Sequence, residues 1–169
     1  MTEVKKHNYI KSFCVTMVMA FLIFGLSGCG KTQTIKSEGM EITLSKEYQE
    51  QTLANATWYY TSPDGIAMGI RSRKNDIEKS GLEVNSSTDY ALAYIKANSI
   101  SGSPKLNARE KYVYFEYSRK VSGAEYKYLN CFYDHGDSYW LVSFACYKAL
   151  YNEYKADFFD SADSVVFDE

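Results

Sequence analysis

Histidine and proline are scarce in this sequence, with two of each among 169 residues. His7 lies in an N-terminal segment that has the features of a signal, which leaves His135 as the only histidine of the remaining chain. A single imidazole excludes metal sites built from several histidines. No serine stands in a nucleophile-elbow pattern, and Asp134 and Asp137 beside His135 indicate an ordinary turn. The sequence therefore predicts no catalytic residue, no metal site and no cofactor.

An excess of positive charge is also missing, because the formal net charge is −2. No basic patch or stripe interrupts the chain, and this absence excludes the usual electrostatic footprint of a nucleic-acid-binding protein. We therefore expect no nucleic-acid partner. Any association with a membrane should depend on lipid and not on charge.

A C-x-x-C pair is absent as well, so the two cysteines of the C-terminal half need another explanation. Cys131 and Cys146 fall in one predicted hairpin with its turn at His135-Gly136, and in that register Cys131 faces Trp140. Cys146 then lies about six residues further along, roughly 20 Å at strand rise. A disulfide requires Cα atoms closer than about 7 Å, so we expect two buried free thiols.

The N-terminal segment has a basic start, an uncharged apolar run, and a cysteine that follows small residues. Lys5, Lys6 and Lys11 precede the run from Phe13 to Leu26, which is shorter than the ~20 residues that a spanning helix needs. The run ends in Leu26-Ser27-Gly28-Cys29, which resembles the lipobox of bacterial lipoproteins.

This resemblance implies signal cleavage between Gly28 and Cys29 and transfer of a diacylglyceryl group to the Cys29 thiol. Two acyl chains such as palmitate anchor a protein stably, whereas one chain binds only marginally. The resulting expectation is a signal peptide at 1–28, a lipidated tether at 29–38, and a single α+β domain at 39–169. We expect the protein on the extracytoplasmic face of the bacterial cell membrane.

The same stretch also matches a nucleotide-binding pattern, since residues 25–32 fit G-x-x-x-x-G-K-[ST]. That loop cradles phosphates only between a buried strand and a helix. Here the preceding residues are the apolar signal run, and cleavage before Cys29 divides the motif. We therefore predict no nucleotide ligand.

Apolar periodicity and turn residues predict the order strand, hairpin, helix, three-stranded meander, helix, strand. The predicted strands are Gly39 to Leu44, Ala56 to Thr61, Ile66 to Arg71, Lys105 to Ser118, Glu125 to Asp134, Ser138 to Cys146 and Ser164 to Phe167. The predicted helices are Ser86 to Asn98 and Tyr147 to Phe159, with a long loop at 73–86. Both faces of the Ser138 strand are apolar, which indicates a mainly antiparallel sheet with a helix on each face.

Two stretches resemble the PsbP-like fold, which occurs in the photosystem II extrinsic subunit and in many small bacterial lipoproteins. They are the opening Gly39 to Ser45 and the closing run from Tyr128 through Asp134-His135-Gly136-Asp137 to Phe167. The resemblance implies a mostly non-enzymatic, functionally diverse family, with no catalytic residues to transfer to this chain. A cystatin- or NTF2-like α+β fold is the alternative.

Tyrosine is abundant, with 16 residues, and it suits half-buried sheet faces and binding surfaces alike. The candidate binding residues are Trp58, Tyr60, Tyr114, Tyr128 and Tyr139. Those left uncovered by helices are expected to form a platform for a protein, peptide or glycan. The sequence thus predicts a non-catalytic binding module; the alternatives are a small-ligand or metal carrier, or an envelope hydrolase.

Overall fold

A computed structural model describes residues 31–101 and 105–168, and these residues form ten strands and three helices. The strands are β1 (Thr32–Ser37), β2 (Met40–Ser45), β3 (Gln49–Gln51), β4 (Trp58–Thr61), β5 (Gly65–Arg73), β6 (Asn107–Ala108), β7 (Val113–Val121), β8 (Ala124–His135), β9 (Ser138–Tyr147) and β10 (Val166–Phe167). The helices are α1 (Lys74–Lys79), α2 (Ser87–Ala97) and α3 (Tyr151–Asp163). This is an α+β fold, as predicted.

The main sheet is antiparallel, with strand order β3-β4-β5-β9-β8-β7-β6. Its centre is β9, in which every residue but the last is buried, and this confirms that both faces of that strand are covered. The meander turns are tight because Ser122, Gly123 and Gly136 adopt positive φ, the conformation that two-residue hairpin turns require.

The register of the β8–β9 hairpin differs from the predicted one. Cys131 pairs with Val142, and Trp140 pairs with Tyr133, because Gly136-Asp137 forms the turn in place of His135-Gly136. The shift is an even number of residues, so each side chain keeps its predicted face. Cys131 and Cys146 are buried free thiols, as predicted, and burial raises the pKa of the Cys146 thiol to about 11.

The two faces of the main sheet have separate cores. On one face, α3 and a second sheet of order β1-β2-β10 enclose large side chains that include Trp140, Val142 and Phe144. On the other face, α2 covers Phe115, Phe132 and Leu141. This arrangement confirms the prediction of one helix on each face.

The predicted tether is the clearest correction. Its residues Thr32–Ser37 form β1, which pairs along its whole length with β2, so the compact unit begins at Thr32 and not at Gly39. Positive φ at both Glu38 and Gly39 forms the hairpin turn. Ile35 is buried and is the apolar residue that attaches this polar strand to the core.

Two further boundaries differ from the prediction. The loop expected at 73–86 contains the short helix α1, and the last helix begins at Tyr151 because Tyr147 still belongs to β9. The start of α2 is as predicted, since the Ser86 Oγ accepts a hydrogen bond from the Asp89 backbone N–H at 3.1 Å. Within the described ranges, no helix has the length and apolarity needed to cross a membrane.

Candidate binding surface

The structure removes two of the candidate binding residues from the surface. Trp58 is buried against Gly69, with its indole over the place where a β-carbon at Gly69 would lie. Tyr139 is also buried, and it stacks on Tyr90 with 5.3 Å between ring centroids. Both side chains are core residues because they lie beneath neighbouring aromatic rings, which the spacing of the sequence does not show.

The other three candidates remain partly exposed but do not share one face. Tyr60 and Tyr114 pack against the core beneath α3, and the Tyr114 ring lies edge-on to Phe159 at 5.1 Å. Tyr128 pairs with Ala145 and therefore projects from the opposite side of the sheet. The five predicted residues consequently do not form one platform.

A different group of tyrosines forms a platform on the side of the sheet that carries α2. We call the half of this side that lies beyond α2 the tyrosine face. Its aromatic, large apolar and charged members are Tyr59, Ile66, Met68, Tyr117, Arg119, Val121, Tyr126, Tyr128 and Tyr147, and Gln49, Gln51 and Thr61 project to the same side at the β3–β4 edge. Tyr147 is 42% exposed, and the other tyrosines of the face are half-buried. The Tyr90 and Tyr94 rings of α2 contact Phe115, Phe132 and Tyr139. Tyr94 also interacts with Tyr117, so the tyrosine face borders the helix at Tyr117.

Two cross-strand pairs organise the tyrosine face. Tyr117 lies opposite Tyr128, and their rings stack at 4.7 Å with 15° between planes. Tyr126 lies opposite Tyr147, and those rings stack at 4.9 Å with 27° between planes. Each such pair stabilises a sheet by roughly 0.2–1 kcal/mol. Stacking also fixes the orientation of the rings before anything binds.

Small residues occupy the part of the central strand that borders the stacked tyrosines. Ser143 and Ala145 of β9 project from this side, yet each is only 1% exposed, because larger neighbours on β8 and β5 shield them. Beside them Asn130 is fully buried; its Oδ1 accepts a hydrogen bond from the Ser143 Oγ at 2.6 Å. The Asn130 Nδ2 has no hydrogen-bond partner among the described residues.

The electrostatics of the tyrosine face are those of a donor surface. Burial raises the pKa of Tyr117 and Tyr128, while the positive charge of nearby Arg119 lowers it by less. Their hydroxyls therefore stay protonated at neutral pH. None of the residues of the tyrosine face is Asp or Glu, so none of them supplies a carboxylate to the exposed Arg119.

The histidine turn provides structural contacts. The His135 ring stacks on Phe167 at 4.6 Å, Asp134 pairs with Lys74 at 2.6 Å, and Asp137 pairs with Arg71 at 3.0 Å. Across the part of the chain that the structure describes, no three His, Cys, Asp or Glu side chains are grouped to hold a metal ion. Burial raises the pKa of the Cys131 thiol well above its ordinary value, so the thiol stays protonated.

Comparison with known proteins supports the fold. No protein-family model and no curated protein sequence matches the chain. Among solved structures, it resembles cyanobacterial PsbP (CyanoP) from Synechocystis sp. PCC 6803 with a TM-score of 0.51 and 13% identity, over 85% of this chain and 99% of that one. A crystal structure from Bacteroides thetaiotaomicron VPI-5482 matches with a TM-score of 0.56 and 14% identity.

The match to the Bacteroides protein covers 83% of this chain but only 50% of the other, so our chain spans half the length of that relative. The likeness to CyanoP confirms the predicted PsbP-like fold over the cystatin- or NTF2-like alternative. At these identities the comparisons establish fold alone. The lipobox prediction at Gly28 and Cys29 falls outside the described residues.

Proposed function

We propose that this chain is an extracytoplasmic bacterial lipoprotein, anchored through Cys29, that binds another protein through its tyrosine face and catalyses no reaction. The observation that carries the proposal is the composition of that face: five tyrosines with methionine, isoleucine, valine and arginine, bordered by two glutamines and a threonine, and no lysine or carboxylate among these residues. Centres of protein–protein interfaces are enriched in Tyr, Met and Arg, and depleted in Lys, Glu and Asp.

The geometry of the rings supports a protein partner further. Tyrosine and arginine are the residues that most often dominate binding energy, and they do so in clusters that exclude water. The stacked pairs Tyr117–Tyr128 and Tyr126–Tyr147 form one such cluster across three adjacent strands. Because their rotamers are already restricted by stacking, little side-chain entropy is lost when a partner covers them.

The short connection to the lipid supports binding at the membrane surface. If Cys29 is acylated, only Gly30 and Lys31 precede β1, and two extended residues span at most about 7 Å. A module connected in this way meets partners that are themselves at the membrane. This supports an extracytoplasmic segment of another membrane protein as the partner.

Site-specific photocrosslinking of the native lipidated protein tests the proposal. A photoreactive amino acid at Tyr147, which is 42% exposed on the tyrosine face, should give one discrete protein adduct in cells. The same group at Leu92, which is 51% exposed on α2, should not give that adduct. The adduct should disappear with Tyr117→Ser and persist with Leu92→Ser.

Tyr117 is half-buried and Leu92 is exposed. Circular dichroism should therefore confirm that both serine variants fold. An adduct that forms equally from both positions, or that survives Tyr117→Ser in folded protein, would refute the tyrosine face as the binding surface. An adduct that proves to be a glycan would refute the protein partner.

A further inference from the structure

We infer that the tyrosine face contains a carboxylate-binding site centred on Arg119, and that the bound segment of the partner protein presents an Asp or Glu side chain to it. The inference rests on the proposed function and specifies what the partner must contain. It depends on three features of the described residues: an uncompensated guanidinium, an excess of hydrogen-bond donors, and the absence of acceptor carboxylates on that face.

The position of Arg119 follows from strand register. Arg119 is two residues beyond Tyr117 on β7, so both project to the same side, and it lies directly opposite Tyr126 on β8. The guanidinium is therefore next to both stacked ring pairs, and it is exposed. An arginine at this point places its planar fork of donors beside the stacked rings at the β7 edge of the tyrosine face.

Among the residues that the structure describes, Arg119 has no ion-pair partner, whereas nearby Glu116 has two. In this region of the described chain, Glu116 pairs with Lys127 at 2.9 Å and with Lys155 at 2.7 Å. Glu116 and Lys127 occupy alternate strand positions and are therefore on the opposite side of the sheet from Arg119, and Lys155 belongs to α3, which packs on that opposite side. Covering an unpaired charge with a partner is unfavourable unless the partner supplies the opposite charge.

The surrounding polar groups are donors that a carboxylate can satisfy. Burial keeps the pKa of the Tyr117 and Tyr128 hydroxyls raised, so both are protonated, and both lie close enough to Arg119 for its positive charge to lower that pKa in part. An ionised carboxylate only accepts hydrogen bonds and matches the fork of an arginine with two parallel bonds. A lysine or a neutral amide from the partner would leave these donors without equivalent acceptors.

A matched pair of substitutions tests the site through the photocrosslink from position 147 in native membranes. Arg119→Gln and Lys120→Gln each remove one positive charge from adjacent exposed positions of β7, but Lys120 projects to the opposite side. We expect Arg119→Gln to reduce the adduct about tenfold or more, the effect of losing a hydrogen bond to a charged group. Lys120→Gln should leave the adduct unchanged.

A charge exchange identifies the chemistry of the partner group. Mass spectrometry of the adduct locates the crosslinked segment of the partner. When the Asp or Glu of that segment is changed to Lys, the altered partner should crosslink to the Arg119→Glu variant but not to the wild-type chain. Equal adducts from Arg119→Gln and Lys120→Gln, or a crosslinked segment without an acidic residue, would overturn the inference. In both cases the wild-type adduct stands, and the proposed function with it. Absence of a wild-type adduct would instead refute the proposed function.

Discussion

Replacement of Gly69 by alanine should destabilise the domain, because the Trp58 indole occupies the space that a side chain needs. A β-carbon at Gly69 would lie 2.1 Å from the Trp58 Nε1 and 2.3 Å from its Cε2. Non-bonded heavy atoms prefer about 3.5–4.0 Å, so the indole or strand β4 must retreat by more than about 1 Å. Such overpacking costs about 1–3 kcal/mol.

The cost of overpacking at Gly69 is partly offset by a smaller effect on the unfolded chain. Alanine lowers the entropy of the unfolded chain relative to glycine, which stabilises the folded state by about 0.4–1 kcal/mol. We therefore expect a net loss of about 1–2 kcal/mol in the free energy of unfolding, measured by urea denaturation of the detergent-solubilised full chain. Tyr59 follows Trp58 on β4 and projects onto the tyrosine face. Displacement of β4 should therefore also weaken the photocrosslink from position 147.

The control for this prediction is removal of the indole itself. Trp58→Leu leaves space above Gly69, so Gly69→Ala should have little effect on stability in that background. The coupling energy of the double-mutant cycle should therefore be favourable and about 1 kcal/mol or more. This interpretation of the Trp58 contact would be refuted if Gly69→Ala were as stable as the wild type. It would also be refuted if Gly69→Ala destabilised the wild-type and Trp58→Leu backgrounds equally.

Three further predictions concern the anchor, an ion-pair cluster and the thiols. Cys29→Ala should abolish acyl labelling and accumulate a precursor that retains residues 1–28, as seen by electrophoresis. For Glu116, burial raises the pKa, but hydrogen bonds from Lys155 and Lys127 outweigh it, so the folded pKa is lowered. This stabilisation is present above the unfolded pKa of about 4.3 and is lost as pH falls through the folded value; Glu116→Gln should flatten stability in that range. Cys131 and Cys146 should resist iodoacetamide in the native state and react after denaturation, and native reaction at pH 8 would contradict their burial.

The residues with the most local signals were the most predictable. The Ser86 cap, the alternation in β2 and the two-sided apolar run of β9 each depend on neighbours within a few positions, and all three match the structure. The β8–β9 register was wrong by two residues because either Gly136-Asp137 or His135-Gly136 is an acceptable turn by composition. Local sequence does not rank those two turns, but pairing along the whole hairpin does.

The features that escaped prediction depend on contacts between distant segments. Strand β1 is polar apart from Ile35, and it is ordered by pairing with β2 and by hydrogen bonds from Gln33 to the Ser45 and Tyr48 carbonyls. Similarly, only the placement of α2 decides which tyrosines stay accessible. Among the five candidates, Tyr128 alone belongs to the tyrosine face.

The asymmetry of β9 explains why one half of the sheet can remain open. Toward α3, the strand carries Trp140, Val142 and Phe144, which need a cover because exposed apolar area is unfavourable. Toward the tyrosine face it carries Ser143 and Ala145, which neighbouring side chains already shield to 1% exposure. A helix placed there would bury several hydroxyls without acceptors, at a cost of about 1–3 kcal/mol each. Under the proposed function, a partner would have to bring acceptors to this surface, and this requirement favours a polar, selective interface over permanent apolar docking.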